Sequence, residues 1–291
     1  MRRTQMMLVA ALGAATLFAA GCGDDDDGSD EAAKADVAVT EAGDGQFSIQ
    51  APSGVEAGVV EFTLDNSANK APHSAQLIQI GEGHTADEAL SIIQSEKPQP
   101  IPDWIRGYGG VGETKPGEIG TATVKIDEGH YVLQDDAENG AKEPSTTEFD
   151  VTGGEAEGEL PDTDASVTAA TTGEEDPEYE WETDGLVAGE NTITFKSEGD
   201  EALHHIQAFP LKDGATIEQA QQDLESNGRP QAIDFENAAG TAVIDGEKSE
   251  VTTLNLQAGR YVFVCFLPDR DEPDEPHFKQ GLLKEITIPQ S

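Results

Sequence analysis

Side chains in the last third of the chain could bind a metal ion. Cys265 ends a run of β-branched and aromatic residues, and His277 follows after eleven intervening residues. Upstream, His204 and His205 are adjacent in another apolar stretch. A thiolate combined with imidazoles suits copper, and also zinc. Successive strand residues face opposite sides of a sheet, so the sequence leaves open whether His204 or His205 would face such a site.

The N-terminus has the features of an export signal. Arg2 and Arg3 precede a short apolar run, and small residues lead directly into Cys22. The run is too short to span a membrane as a helix. The segment resembles the lipobox of bacterial lipoproteins, in which the cysteine is lipidated. We therefore expect residues 1–21 to be a signal peptide and Cys22 to anchor the protein by lipid to the extracytoplasmic face of the cell membrane.

The cysteine count makes Cys265 unusual. The chain has two cysteines, and lipidation of Cys22 would leave Cys265 without a partner. An unpaired cysteine in an exported protein needs an explanation, because thiols oxidise outside the cytoplasm. Cys265 could be buried and inert, paired between molecules, or bound to a metal.

The charge of the chain restricts its partners. Lys and Arg total 17 against 58 Asp and Glu, which gives a formal net charge of −41. Nucleic-acid binding requires a basic surface, so nucleic acid is excluded as a partner. The acidic excess fits a basic protein partner, including a redox partner. Residues 22–36 are acidic and poor in apolar residues, which predicts a disordered tether.

The rest of the chain shows strand patterns that occur twice. Short β-branched runs are separated by Gly, Asp and Asn turns, and each half contains one helix-capping signal, Thr85–Glu88 or Thr216–Gln219. These two signals lie 131 residues apart, as do His73 and His204. A tandem duplication explains the common offset. It predicts a first half (residues 37–153), a linker (154–162) and a second half (163–291).

The second half resembles the plastocyanin/azurin-like cupredoxins. The resemblance rests on His204, the segment 259–265 (GRYVFVC), Pro276-His277 and Gly281-Leu282. It implies an all-β chain of two tandem cupredoxin-like Greek-key β-sandwiches, each with one short inserted helix. It also implies that Cys265, His204 and His277 bind one copper ion, with His205 as the alternate for His204. Leu282 occupies the position where the family often has an axial methionine.

The first half departs from the cupredoxin pattern. His73 remains at the first-histidine position, but Asp135 stands where Cys265 stands in the second half. The loop that follows is about seven residues shorter and contains no histidine. We expect this half to lack a blue-copper site and to serve as structure or as a partner-binding surface.

These observations predict a lipid-anchored, exported cupredoxin-like protein that binds one copper ion for electron transfer or copper handling. The alternative is a metal-free cupredoxin-like lipoprotein with a structural or binding role. We expect the protein not to be an enzyme, because two-domain copper oxidases need additional histidine clusters and six scattered histidines do not supply them.

Overall fold

The computed structural model describes residues 32–42, 46–95, 97–137, 144–172, 178–199, 202–226 and 230–290. The predicted signal peptide (1–21), Cys22 and most of the predicted tether lie outside these residues. No helix in the described part of the chain is long and apolar enough to span a membrane.

The described residues are mostly β-strand. The strands of the first half are β1 (Ala33–Ala42), β2 (Gln46–Gln50), β3 (Val55–Glu56), β4 (Gly58–Asp65), β5 (His73–Ile80), β6 (Ile105–Thr114), β7 (Ile119–Ile126), β8 (Gly129–Asp135) and β9 (Ser145–Thr152). Those of the second half are β10 (Ala165–Thr172), β11 (Glu178–Asp184), β12 (Gly189–Ser197), β13 (Leu203–His204), β14 (Gln207–Pro210), β15 (Ala239–Gly240), β16 (Ile244–Asp245), β17 (Ser249–Leu256), β18 (Gly259–Val264) and β19 (Leu283–Ile288). Strand β1 begins inside the predicted tether: residues 33–36 pair with β4, so these four residues belong to a sheet and not to a disordered segment.

Each half contributes one short helix at the predicted position. Helix α1 (Ala86–Ile93) begins after Thr85, and helix α2 (Ile217–Glu225) begins after Thr216. Both threonines form capping boxes, with Glu88 and Gln219 as the reciprocal partners. The helix starts are fixed locally because each box satisfies backbone N–H groups that have no partner within the helix.

Three sheets form the all-β, cupredoxin-like sandwiches. One sheet has the order β11-β10-β12-β17-β7-β4-β1-β2, the second β13-β16-β6-β5-β8-β9-β3, and the third β15-β14-β18-β19. Apolar side chains form a large core cluster in each half: Phe62, Leu77 and Tyr131 belong to the first, and Trp181, Ile193 and Phe263 to the second. A smaller apolar cluster lies in each half as well.

The strand registers of the two halves correspond. In the first half, Gln76 pairs with Gln134 and Gly58 pairs with Ile126. In the second half, Gln207 pairs with Val264 and Gly189 pairs with Leu256. The partners are shifted by 131 and 130 residues, which agrees to within one residue with the offset of 131 seen in the sequence. Equal registers are what a tandem duplication would leave.

The halves are joined through their sheets within one compact unit, residues 31–291. Strand β17 pairs with β7 of the first half, and β16 pairs with β6. Because β16 also pairs with β13, the strand that carries His204 is one strand away from the first half. The strand that carries His204 therefore belongs to a sheet that both halves share.

Candidate metal centre

Three side chains that the sequence singled out converge in the core of the second half. His204, Cys265 and His277 can each offer one ligand atom, and these atoms lie within 4.8 Å of one another. Cys265 Sγ is 3.8 Å from His204 Nδ1 and 3.6 Å from His277 Nδ1. All three residues have no exposed surface. Two imidazole nitrogens and one sulfur thus point at one protected volume.

Secondary structure places each of these side chains. His204 is in β13, where it pairs with Ile244 of β16. Cys265 follows the last residue of β18, and its backbone N–H donates to Leu282 O. His277 begins a short 3-10 helix, His277–Lys279, and its N–H donates to Leu267 O. Cys265 and His277 are therefore connected by a loop that folds back on itself, so that its end at His277 lies beside its start at Leu267.

His205 points elsewhere. Its Nε2 accepts a hydrogen bond of 3.1 Å from the Phe266 N–H, and its side chain lines a cavity of 490 Å³ between the halves. Burial lowers the pKa of His205 to about 4. The structure thus brings His204, and not the alternate His205, to Cys265.

Leu282 lies in the same buried cluster as Cys265 and is fully buried. A leucine side chain has no lone pair, so this position supplies no axial ligand. The set of side-chain donors is Cys265 with the two imidazoles, which is the trigonal part of a blue-copper donor set.

Asp269 fixes the orientation of His277. Its Oδ1 lies 3.0 Å from His277 Nε2 and accepts a 2.6 Å hydrogen bond from the Tyr179 hydroxyl. Burial alone would raise the pKa of Asp269, but these hydrogen bonds from His277 and Tyr179 lower it. A carboxylate on one imidazole nitrogen fixes the ring and leaves the other nitrogen free to bind a metal. The sequence showed Asp269 only as one of several acidic loop residues, and no signal distinguished it.

Tyr179 packs on both imidazoles. Its ring centroid is 5.0 Å from that of His204 and 4.6 Å from that of His277. The two histidine rings are 4.5 Å apart. This packing excludes water from one side of the site and restricts rotation of both rings.

The protonation of these groups suits metal binding. Burial lowers the pKa of His204 to about 3, so its imidazole is neutral and keeps a lone pair. Burial raises the pKa of the Cys265 thiol to about 12. Without a metal the thiol keeps its proton, and a bound cation would favour the thiolate. Among the described residues this is the one group of three or more metal-ligating side chains that converges.

In the first half, His73 and Asp135 meet instead. His73 Nδ1 lies 2.7 Å from Asp135 Oδ2, and both side chains are fully buried. Asp135 Oδ1 also accepts hydrogen bonds from the Ser74 and Ala137 N–H groups. A histidine–aspartate pair therefore occupies the place of a histidine–cysteine pair.

Comparisons with known proteins give distant structural matches. No protein-family model matches the chain, and no curated protein matches it at the threshold of that search. A copper nitrite reductase from Nitrosomonas europaea matches with 15% identity over 89% of this chain and 93% of its own, at a TM-score of 0.22. A laccase from B. aclada matches with 10% identity over 88% of this chain, at a TM-score of 0.22. Fet3p, a multicopper oxidase, matches with 12% identity over 80% of this chain, at a TM-score of 0.21. The chain spans about half the length of the laccase and of Fet3p, 52% and 47%.

These matches correct one expectation from the sequence. The protein was expected not to be an enzyme, but the matched structures are a reductase and oxidases, so that expectation is withdrawn. Similarity at this level assigns no activity to this chain. What stands is an all-β, cupredoxin-like fold with one candidate His-Cys-His group.

Proposed function

We propose that the second half binds one copper ion through His204, Cys265 and His277 and uses it for electron transfer or copper handling. The observation that carries the proposal is the convergence of Cys265 Sγ with the two Nδ1 atoms, at 3.8 and 3.6 Å. These separations are those of atoms that could share one ion, since metal–ligand bonds run at roughly 2.0–2.3 Å by analogy with zinc.

The donor set fits copper. Cys265 is the free cysteine of the described chain and is buried, so it is protected from disulfide exchange. His277 turns Nδ1 towards the sulfur because Asp269 engages Nε2. Soft thiolate with imidazole is the ligand class that copper sites use, although zinc accepts it as well.

Copper bound here would supply a one-electron redox couple. The residues of the chain would hold the ligands in one geometry in both oxidation states. Cys265 is fixed by hydrogen bonds of its backbone N–H and C=O to Leu282 and Phe278, and Tyr179 packs on both rings. Little reorganisation and no exposed ligand surface favour outer-sphere electron transfer over ligand exchange.

The proposal includes a place for the protein. Lipid on Cys22 would anchor it at the extracytoplasmic face of the cell membrane, and the acidic stretch after Cys22 would hold the folded part away from the surface. The net charge of −41 favours a basic redox partner. The position of Cys22 in the lipobox-like segment supports this part of the proposal.

The test is an absorption spectrum of residues 23–291 titrated with Cu(II). We expect an intense visible thiolate-to-copper band that saturates at one equivalent. Cys265→Ser and His277→Ala should abolish the band. His205→Gln is the matched control, because glutamine can still accept the Phe266 hydrogen bond and the band should remain.

Other outcomes would be equally informative. Stoichiometric zinc uptake without a visible band on copper addition would replace copper with zinc. No uptake of either metal by the wild-type chain would reject the proposal and leave a metal-free scaffold.

A further inference from the structure

The eleven residues between Cys265 and His277, here called the ligand loop (266–276), are attached to the first half. Arg270 is the point of attachment and is 6% exposed. Its Nη1 donates to the carbonyls of Ile105, Pro102 and Ile101 at 2.9, 3.2 and 3.4 Å. The Ile101 N–H returns a 2.9 Å hydrogen bond to the Arg270 carbonyl. Both the backbone and the side chain of this one loop residue are therefore held by the segment that leads into β6.

Asp245 completes the attachment. Its Oδ1 accepts a 2.7 Å hydrogen bond from Arg270 Nη2 and a 2.9 Å hydrogen bond from the Gly107 N–H of β6. Asp245 lies in β16, next to Ile244, which pairs with His204. One carboxylate thus connects the ligand loop, the first half and the strand beside the first histidine ligand.

The attachment reaches His277 through the preceding residue. Asp269 is the immediate neighbour of Arg270 and accepts the hydrogen bonds of His277 Nε2 and the Tyr179 hydroxyl. A backbone held at residue 270 restricts where the Asp269 carboxylate can lie. The orientation of the His277 ring depends on that carboxylate.

We propose that Arg270 and Asp245 form a clamp by which the first half positions His277 and closes the ligand loop over Cys265. In the described structure Arg270 hydrogen-bonds to Asp245 and to carbonyl groups of the first half and to none of the three proposed ligand side chains, so it is a positioning residue. The clamp gives the first half a role that its own lost site does not provide. The inference rests on the proposed metal site for its functional meaning, but the loop closure itself exists without a metal and can be tested without one.

A matched ion pair in the same half shows what the clamp adds. Arg260 forms a two-pronged pair with Glu285 at 2.7 Å, and it donates to the Ala215 carbonyl. Those side chains are 39% and 33% exposed, whereas Arg270 and Asp245 are 6% and 11% exposed. Arg260–Glu285 joins neighbouring strands of the second half, and among the described residues neither side chain hydrogen-bonds to the ligand loop or to the first half. Arg260→Met therefore removes an arginine–carboxylate pair while leaving the clamp intact.

The primary experiment measures how fast a neutral aromatic disulfide modifies the Cys265 thiol in the metal-free chain 23–291. The thiol is fully buried, so modification requires the ligand loop to open. We expect Arg270→Met to raise the modification rate about tenfold or more, because losing the Arg270 hydrogen bonds lowers the free energy of local opening of the loop. Arg270→Lys keeps the charge but loses the planar guanidinium, so its modification rate should lie between those of the wild type and Arg270→Met. The rate of Arg260→Met should equal that of the wild type.

Global destabilisation needs its own control, because a partly unfolded chain would also expose Cys265. Phe62→Leu weakens the first-half core without touching the clamp, and it should lower the thermal midpoint without a comparable rise in modification rate. Hydrogen exchange of the backbone amides of residues 266–277 should rise in Arg270→Met and not in Phe62→Leu.

The outcomes separate the two proposals. Unchanged modification and exchange rates in Arg270→Met would overturn the clamp, whatever the wild type binds. Faster modification in a chain that takes up no metal would support the clamp and reject the proposed copper site. If copper binds, Arg270→Met should also weaken its affinity in competition with a chelator and shift the thiolate-to-copper band, while Arg260→Met leaves both unchanged.

Discussion

His73 and His204 occupy equivalent places in the two halves. His73 pairs with Thr114, and His204 pairs with Ile244, which is 130 residues later. An aromatic ring packs against each histidine: Phe47 is 4.9 Å from His73 at 72°, and Tyr179 is 5.0 Å from His204 at 77°. The same scaffold therefore delivers a buried imidazole to the same point twice.

The surroundings of the two imidazoles differ in three ways. Asp135 replaces the thiol of Cys265, the following loop brings no second histidine, and Phe47 lacks the hydroxyl with which Tyr179 holds Asp269. In the first half the carboxylate satisfies His73 directly. The comparison teaches that the fold fixes one ligand position, whereas the residue after β8 or β18 and the loop beyond it determine what the imidazole can do.

The largest predicted effect is on the pH dependence of stability, and it comes from Glu250 in the second half. Glu250 stands at the position of Gly120 in the equivalent strand, is fully buried, and accepts a 2.9 Å hydrogen bond from the Gly110 N–H. Burial raises the pKa of Glu250 from its usual 4.5 to about 8. Between these two pH values Glu250 is therefore protonated in the folded protein and ionised in the unfolded chain. The stability of the protein should fall as pH rises from about 4.5 to about 8, by up to about 5 kcal/mol.

The measurement is urea unfolding of wild type and Glu250→Gln between pH 5 and pH 9. Glutamine is neutral throughout, so the difference between the two curves isolates the contribution of Glu250 from that of the other titratable groups. The stability of Glu250→Gln relative to wild type should rise with pH and level off above about 8. A difference that does not change with pH would show that Glu250 is not protonated in the folded protein.

The second prediction compares Asp135 with Cys265 in the metal-free chain. Asp135→Ala should reduce the free energy of unfolding by about 3 kcal/mol, because His73 Nδ1 and the Ser74 N–H would lose their buried partner. Cys265→Ala should cost about 1 kcal/mol, since a buried thiol behaves as a small apolar group. Equal losses in denaturant unfolding would mean that the metal-free His-Cys-His group stabilises the fold as much as the histidine–aspartate pair does.

Local patterns predicted much of this fold from the sequence. The two capping boxes were visible because all of their atoms lie within four residues, and both helices begin where expected. Cys265 and His277 were visible because unpaired cysteine and nearby histidine are rare in combination. The repeat aligned His204, and not His205, with His73, and the structure places His204 beside Cys265.

What the sequence did not reveal depends on contacts between distant segments. Strand β6 was not predicted, because its glycines are typical of turns. A Cβ at Gly107 would lie 2.9 Å from the Val243 carbonyl, and one at Gly112 would collide with the Gly240 carbonyl. The glycines allow β6 to approach the second half, which lies about 130 residues away in the chain. Arg270 was likewise hidden in an acidic loop, since its partners are carbonyl groups of the first half.

The third prediction concerns Asp269, the carboxylate that accepts the hydrogen bonds of His277 and Tyr179. Asp269→Leu should weaken copper binding about 10- to 100-fold, because the His277 ring loses the carboxylate that orients it. Chelator competition measures the affinity, and Asp271→Leu in the same loop is the control for lost charge. An affinity equal to that of the control would leave Asp269 with a structural role only.

The smallest effect is expected where the turn before β7 and the turn before β17 differ. Glu247 has a φ of 61°, and it stands where the first half has Gly117 with a φ of 90°. A left-handed backbone conformation costs a residue with a side chain about 1 kcal/mol in the folded state. Glycine avoids this cost, but its unfolded chain has more conformational entropy, which offsets part of the gain in stability. Glu247→Gly should therefore stabilise the protein by about 0.5 kcal/mol.

The reciprocal variant Gly117→Glu should destabilise the protein by a similar amount. A Cβ at Gly117 would meet no atom within 4 Å, so the effect is purely conformational. Denaturant midpoints that move in the same direction for both variants would show that the two turns are not equivalent, and would weaken the correspondence of the halves at this point.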